Sequence, residues 1–408
     1  TINPKFHRFV IHKFVKLQLF YYLCPQIQSV MEKSFVYGVA VTDYNFIGRE
    51  EETRRLKLNF KNGINSILIS PRRWGKTSLV NHVCRQLEGS DIITVRLDIF
   101  GCKSEYDFYN VLAAAVLKQT ASKVQAWMEE AKDFLTRLTP KIHFPVDATS
   151  DISVSLGITP ETHSPEEILN MVEVIAKRRN RHIVVCIDEF QEVGEFENTK
   201  SVQAKLRSVW QHQHYTSYCL FGSKRHMMSK MFLNRSMPFY QFGDLMWLQK
   251  IPTTDWTGYI VSHFEHTGRH ISEEMAAKIC ELVELYPSYV QHLASIVLNH
   301  TPQGETASEQ LLPWAVKELI STNEPLYMQQ IERLSGYQMN LLRAIVSGIH
   351  AGYNEKKVRS QFDLGSPSNL VRLRDALIER DLIYSEMRQL YITDPVFSLW
   401  FRQRFLMG

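Results

Sequence analysis

The sequence lacks any run of 18 or more apolar residues, so no transmembrane helix is expected in its 408 residues. It also lacks paired cysteines. Cys24, Cys84, Cys102, Cys186, Cys219 and Cys280 are scattered, none at CxxC spacing, which reads as reduced core thiols in a cytoplasmic protein rather than a zinc site or a disulfide framework. Internal repeats and low-complexity tracts are missing as well, which argues against a solenoid or propeller. Residues 1–30 contain no acidic side chain, only Lys5, Arg8, Lys13 and Lys16. Without those four, the 47 basic side chains fall to 43, equal to the 43 acidic ones. The remaining body is neutral, so only a local patch could attract nucleic acid. The basic, aromatic-rich stretch 1–30 has three readings: an extension upstream of the folded protein, a membrane-surface segment, or a targeting peptide. The first is preferred, because Lys16 and Gln18 interrupt a signal-type apolar core and the patterned sequence begins just after Met31.

What is present is an ordinary globular composition, 44% hydrophobic and 22% charged, at a length that predicts two or three domains. From Phe46 to about residue 245, short apolar runs alternate with helical patterns, the signature of an α/β parallel sheet. The runs Ser66–Ser70, Ile92–Leu97, Ile183–Ile187 and Tyr218–Gly222 suit strands buried on both faces. Helices are predicted over Thr77–Glu88, Asp107–Lys118, Pro165–Arg179 and Val202–Gln211. The third has a clear start: Ser164 as N-cap, Pro165 first, then Glu166 and Glu167. Residues 121–160 read as an insertion, helical at first and strand-like at Ile152–Leu156. Residues 253–325 read as all-helical. The final stretch reads as short helices followed by a hairpin near Leu382–Ile392.

Between the first strand and its helix lies Ser70-Pro71-Arg72-Arg73-Trp74-Gly75-Lys76-Thr77, with Ser78 next. This matches GxxxxGK[ST] except for serine at the first glycine. Such a loop turns backbone N–H groups around a phosphate and sets the positive end of a helix against the same charge. Lys76 would reach the β- and γ-phosphates, Thr77 would ligate Mg²⁺, and at Gly75 a Cβ would collide with the phosphate or resist the backbone angle needed. A solvated turn carrying Gly-Lys-Thr by chance is the competing reading. The strand–loop–helix context favours the phosphate loop.

The run Ile183–Ile187 ends in Asp188-Glu189, delivering two carboxylates to a strand tip. Asp188 would hold the magnesium shell and Glu189 would polarise an attacking water, acting as catalytic base. An ordinary polar turn is the alternative. Ser223, at the tip of the next strand, is a candidate sensor of the γ-phosphate, with a surface turn as its rival. Arg225 and Arg235 are candidates for charge stabilisation, and sequence alone does not choose between them. His212 and His214 read as surface or core residues rather than metal ligands.

These strings resemble the archaeal-type ATPases of the STAND branch within the AAA+ assemblage, over residues 35–408. Phe46-Ile47-Gly48-Arg49-Glu50 resembles the box that lines the adenine pocket there, implying nucleotide roles for Gly48 and Arg49. Pro238-Phe239-Tyr240 and Leu248–Ile251 resemble the exit from the ATPase core. Tyr286–Gln291 resembles the lid segment, with Leu285 where the family often carries glycine. Asp394–Phe397 with Trp400 resembles the end of a winged helix. The resemblance implies a five-stranded parallel P-loop core over 31–250, a small helical lid over 251–325 and a winged-helix domain over 326–408. ATP and Mg²⁺ are the implied cofactors. It does not imply one biological task.

In the last domain, Leu370, Leu373, Leu377 and Ile378 form one stripe of a helix starting at Ser366-Pro367-Ser368, which points Asn369, Arg372 and Arg374 outward. A winged helix would lay this helix in a DNA groove, with Lys356, Lys357 and Arg359 near phosphates. Over 337–408, ten Lys/Arg face seven Asp/Glu, a small excess that a solvated face also explains. Three functions therefore compete: an ATPase acting as a conformational switch, a nucleotide-stabilised binding module with little hydrolysis, and a DNA-associated regulator. A protein partner or homo-oligomer fits any of them. A small-molecule kinase is disfavoured by the lid and winged-helix pattern.

Overall fold

The computed structural model describes residues 35–41, 43–120 and 164–407. The readings for 1–30, for Cys24 and for the insertion, including Ile152–Leu156, fall outside them. The chain divides into two compact units, one of 49–250 with 335–394 and one of 1–48 with 251–334 and 395–408.

The first unit opens with α1 (Glu50–Lys61), then β1 (Ser66–Ile69), α2 (Lys76–Gln86), β2 (Ile92–Asp98), α3 (Glu105–Thr120), α4 (Pro165–Arg179), β3 (His182–Asp188), α5 (Thr199–Trp210), β4 (Thr216–Gly222), α6 (Arg225–Leu233) and β5 (Asp244–Trp247). The five strands are all parallel, in the order β2-β3-β4-β1-β5. The expected α/β class and parallel core are thus present. Ile67, Ile69, Val185, Ile187 and Leu220 are buried, with α3, α4 and α5 contributing apolar residues to the same core. Central strands covered on both faces need such continuous apolar sequence. Start signals behave as their chemistry requires: Ser164 caps α4, accepting from Glu167 N at 3.3 Å, while Glu167 Oε2 accepts from Ser164 N at 3.2 Å.

Two elements of this unit have weak sequence signals. One is α6. The other is the edge strand β5, which begins with an aspartate and runs only four residues. Polar anchors hold β5: Asp244 pairs with Arg55, accepts from Asn59 Nδ2 at 2.8 Å, and donates its N–H to Asn65 O at 2.8 Å. Gly243 permits that approach, because a Cβ there would lie 2.3 Å from Asn65 O.

The second unit holds α7 (Thr253–His266), α8 (Glu273–Leu282), α9 (Pro287–Asn299) and α10 (Leu311–Glu332). Leu285, where the resemblance leads one to expect glycine, has φ 61°, the left-handed conformation that glycine adopts freely.

The chain then returns to the first unit with α11 (Gly336–Val346), α12 (Lys356–Phe362), α13 (Pro367–Glu379) and the antiparallel hairpin β6 (Ile383–Glu386) and β7 (Gln389–Ile392). Ser366 caps α13, and Leu370, Leu373 and Leu377 are buried while Arg372 and Arg374 are exposed. Arg359 differs from its expected role toward phosphates. It is half-buried and donates to Gly365 O at 3.4 Å, so it closes a turn within its own domain. The last helix, α14 (Pro395–Phe405), belongs to the second unit, where Phe397 and Trp400 pack on Tyr327 at 5.4 and 5.5 Å.

Candidate functional site

In parallel sheets with this alternation, the strand C-termini share one rim, where loops and helix N-termini collect. Here that rim carries the loop after β1, the acidic end of β3 and the tip of β4. Strands β1 and β3 are separated by β4 alone. The two segments far apart in sequence therefore meet: Thr77 Oγ1 donates to Asp188 Oδ2 at 2.6 Å.

The loop 70–77 owes its shape to two residues with positive φ, Arg73 at 65° and Gly75 at 83°. Left-handed residues beside right-handed ones turn successive N–H groups to one concave side. A Cβ on Gly75 would meet no protein atom within 4 Å, so within the protein itself its constraint is the backbone angle. Ser70, which replaces the usual first glycine, has no such angle and is fully buried. A side chain is tolerated there because the backbone does not need glycine. Lys76 opens α2, is 6% exposed, and donates to Ser70 O and Pro71 O, both at 2.9 Å. Burial pulls its ammonium down to about 8, against the opposing charges of Glu189 and Asp188.

Asp188 is pushed up to about 6 by burial, partly offset by the hydrogen bonds from Thr77 and the Glu189 amide. Burial would also raise Glu189, but hydrogen bonds from Gln191 and Ser223 and the charge of Lys76 outweigh it and hold this carboxyl below its usual range. Glu189 has φ 54°, a strained angle for a residue with a side chain. Ser223 lies where the sequence places it: its Oγ donates to Glu189 Oε2 at 2.9 Å and accepts from Arg72 Nε at 3.2 Å.

The remaining basic candidates divide. Arg49 is 6% exposed and donates to Gln249 O at 2.8 Å, Trp74 O at 2.9 Å and Glu52 at 2.9 Å, joining the box before β1 to the phosphate loop. Arg72 also faces Asp381 at 3.9 Å, and Arg73 pairs with Asp394 at 3.1 Å. Arg225 lies against the Trp247 and Tyr384 rings, at 5.1 and 5.2 Å, and pairs with Glu386 at 3.2 Å. Its charge is thus engaged by the β6–β7 hairpin. Arg235 is exposed in the turn after α6 and makes no ion pair or hydrogen bond among the described residues. Sequence reasoning missed Gln191 and Asp381. Gln191 stands two positions after Glu189 beside another polar residue, Glu192, and neither it nor Asp381 carries a local signal.

The donor set can be tested against the groups it would hold. Thr77 and Asp188 present a hydroxyl and a carboxylate oxygen side by side, and Lys76 reaches back over the loop from the first position of α2. That set suits a hard divalent cation completed by phosphate oxygens and water. Among the described residues no group of three or more His, Cys, Asp or Glu is placed to hold a metal ion. No helix of the described residues is long and apolar enough to cross a membrane.

Comparison with known proteins agrees with this geometry. Residues 325–403 match a family model described as a probable winged helix domain. No curated protein matches the chain. Among solved structures, the Walker-type ATPase of Pyrococcus abyssi superposes with a TM-score of 0.66, covering 90% of this chain and 99% of that one at 16% identity. The ORC2 protein of Aeropyrum pernix, solved in ADPNP–ADP complexes, gives 0.55 over 90% of this chain and 98% of its own at 15% identity. Its ADP form gives 0.53 at 14% identity, covering 89% and 97%. At these identities the likeness is one of fold. The fold is that of a Walker-type P-loop ATPase with a C-terminal winged helix, as the sequence resemblance implied.

Proposed function

We propose that this protein binds ATP with Mg²⁺ at the rim formed by Ser70–Thr77 and Asp188, and hydrolyses it to ADP and phosphate as a conformational switch. The observation that carries the reading is the 2.6 Å contact between Thr77 Oγ1 and Asp188 Oδ2, with Lys76 opening the same helix as Thr77. In this reading Ser70–Ser78 cradle the phosphates, and Lys76 leaves its two loop carbonyls for the β- and γ-phosphates. Gly48 and Arg49 stand beside the base. Thr77 and Asp188 hold Mg²⁺, which when bound neutralises phosphate charge. Water attacks the γ-phosphorus as the bond to the β-bridging oxygen breaks, and Glu189 takes the water's proton. Ser223 and Arg72 adjoin Glu189. The division into a core over 31–250, a lid over 251–325 and a winged helix over 326–408 belongs to the same reading.

The test is phosphate release and ATP binding by wild type, Lys76→Ala and Glu189→Gln. Lys76→Ala should lose both, and Glu189→Gln should keep binding while losing release. Equal release by all three would remove the assignment.

A second reading has its own observation. Lys356, Lys357 and Arg372 are exposed within residues 325–403, which match a winged-helix model, and this suits contact with DNA phosphates. Retention of duplex DNA on filters across a salt series tests it, and retention that ignores salt, or none, sinks it.

A further inference from the structure

Glu189 stands at the head of a short 3₁₀ turn, Phe190–Gly194, and three donors converge on one of its oxygens. Gln191 Nε2, Ser223 Oγ at 2.9 Å and Ser223 N at 3.2 Å all reach Oε2, while Oε1 carries no hydrogen bond among the described residues. We propose that Gln191 is a positioning residue that, beside Ser223, pins Oε2 of Glu189, leaving Oε1 as the atom that accepts the proton of the attacking water. The inference rests on the hydrolytic reading above and assigns it an atom and a further support.

The direction of each bond is settled by its neighbours. Arg72 has only donors, so Ser223 Oγ must accept from it and direct its own proton elsewhere, to Glu189. The Gln191 amide lies between two carboxylates, bonding Glu189 and also Glu192 Oε1 at 3.2 Å. Its NH₂ must therefore face them, because the opposite orientation sets oxygen against oxygen. The consequence is visible: Gln191 is fully buried, and its Oε1 has no hydrogen-bond partner among the described residues. A merely space-filling residue would not require a glutamine that leaves an amide oxygen unsatisfied in the core, since that desolvation is unfavourable. Gly222 accommodates it. A Cβ there would fall 1.9 Å from Gln191 Oε1, so the last residue of β4 is kept small where the amide lies. The backbone of Glu189, at φ 54°, is turned so that its side chain reaches this pair of donors.

With Oε2 saturated, the carboxylate cannot rotate without losing three bonds. A base held in one orientation gains from proximity, and one freed to rotate loses it.

The experiment is single-turnover ATP cleavage and equilibrium ATP binding for Gln191→Leu, which keeps size and removes the donor. Cleavage is expected to fall about ten-fold or more with the dissociation constant for ATP unchanged. On a Glu189→Gln background the same substitution is expected to cause no further loss, because it acts only through that carboxylate. Should Gln191→Leu not fold, Gln191→Met, which also lacks the donor, enters the same cycle with the same expectation. Unaltered cleavage, equal losses on both backgrounds, or a loss shared with binding each overturns the inference. Wild-type protein that cleaves no ATP would instead sink the hydrolytic reading itself.

Discussion

The Arg49 guanidinium reaches the carbonyl of Trp74 at 2.9 Å, so the residue that precedes α1 also braces the loop before α2. A second bond, to Gln249 O at 2.8 Å, ties the same side chain to the chain just beyond β5. Arg49→Ala removes the donor that two carbonyls share and empties the space of a buried side chain. It is expected to destabilise the protein by about 2–4 kcal/mol and to weaken ATP binding, read by denaturant melts and by calorimetry. Arg49→Lys should recover little, since a point charge cannot serve acceptors on several sides of a planar fork.

Glu189→Gln keeps the size of the side chain and removes its basicity. Phosphate release is expected to fall by about 10²–10⁴ while ATP affinity is retained. Lys76→Ala removes the charge from the centre of the loop, and nucleotide protection against thermal unfolding should vanish with it. Melting curves with and without ATP separate the two variants.

Asp381 is pushed up to about 6 by burial, despite the nearby charges of Arg72, Lys76 and Lys224. Its folded value exceeds the unfolded one near 4, so its ionised form opposes folding above pH 6, and that penalty fades as pH falls toward 4. Asp381→Asn is expected to stabilise the protein by about 1 kcal/mol at pH 7 and to leave it unchanged at pH 4. Removing a negative charge that acts on Lys76 should also tighten ATP binding several-fold. Denaturant titrations at the two pH values and an ATP titration check both. A variant less stable at pH 7 would mean the Arg72 pairing outweighs desolvation.

The β6–β7 hairpin closes through Met387 and Arg388, with φ 47° and 65°. Two left-handed residues in a two-residue loop make a turn that favours Asn-Gly. Met387→Asn with Arg388→Gly is expected to add about 1 kcal/mol, measured by chemical denaturation. A loss of stability would show that these side chains make compensating contacts.

Much of the sheet was legible because β1, β3 and β4 are central and buried on both faces, which demands unbroken apolar runs. The edge strand β5 was not, since half its support is polar and comes from Arg55 and Asn59, 189 and 185 positions away. The same division holds at the site. Lys76, Thr77, Asp188 and Ser223 stand on local strings whose chemistry announces itself. The side chains of Arg72 and Arg73, on the same string, face Asp381 and Asp394, and the second pair spans 321 positions and follows no local pattern. Gly75 and Ser70 show a finer point: the motif's glycine is retained where φ is positive and dispensable where it is not.

Under the phosphate loop, Cys84 of α2 lies 3.9 Å from Cys186 of β3, which stands beside Cys219 of β4 in register. All three thiols are at most 1% exposed. A thiol reagent can reach them only when helix and sheet part, so the rate of labelling is a stopwatch for that breathing. Any ligand that seats itself on Lys76 should slow the stopwatch, and the factor by which it slows is the ligand's grip expressed in opening events.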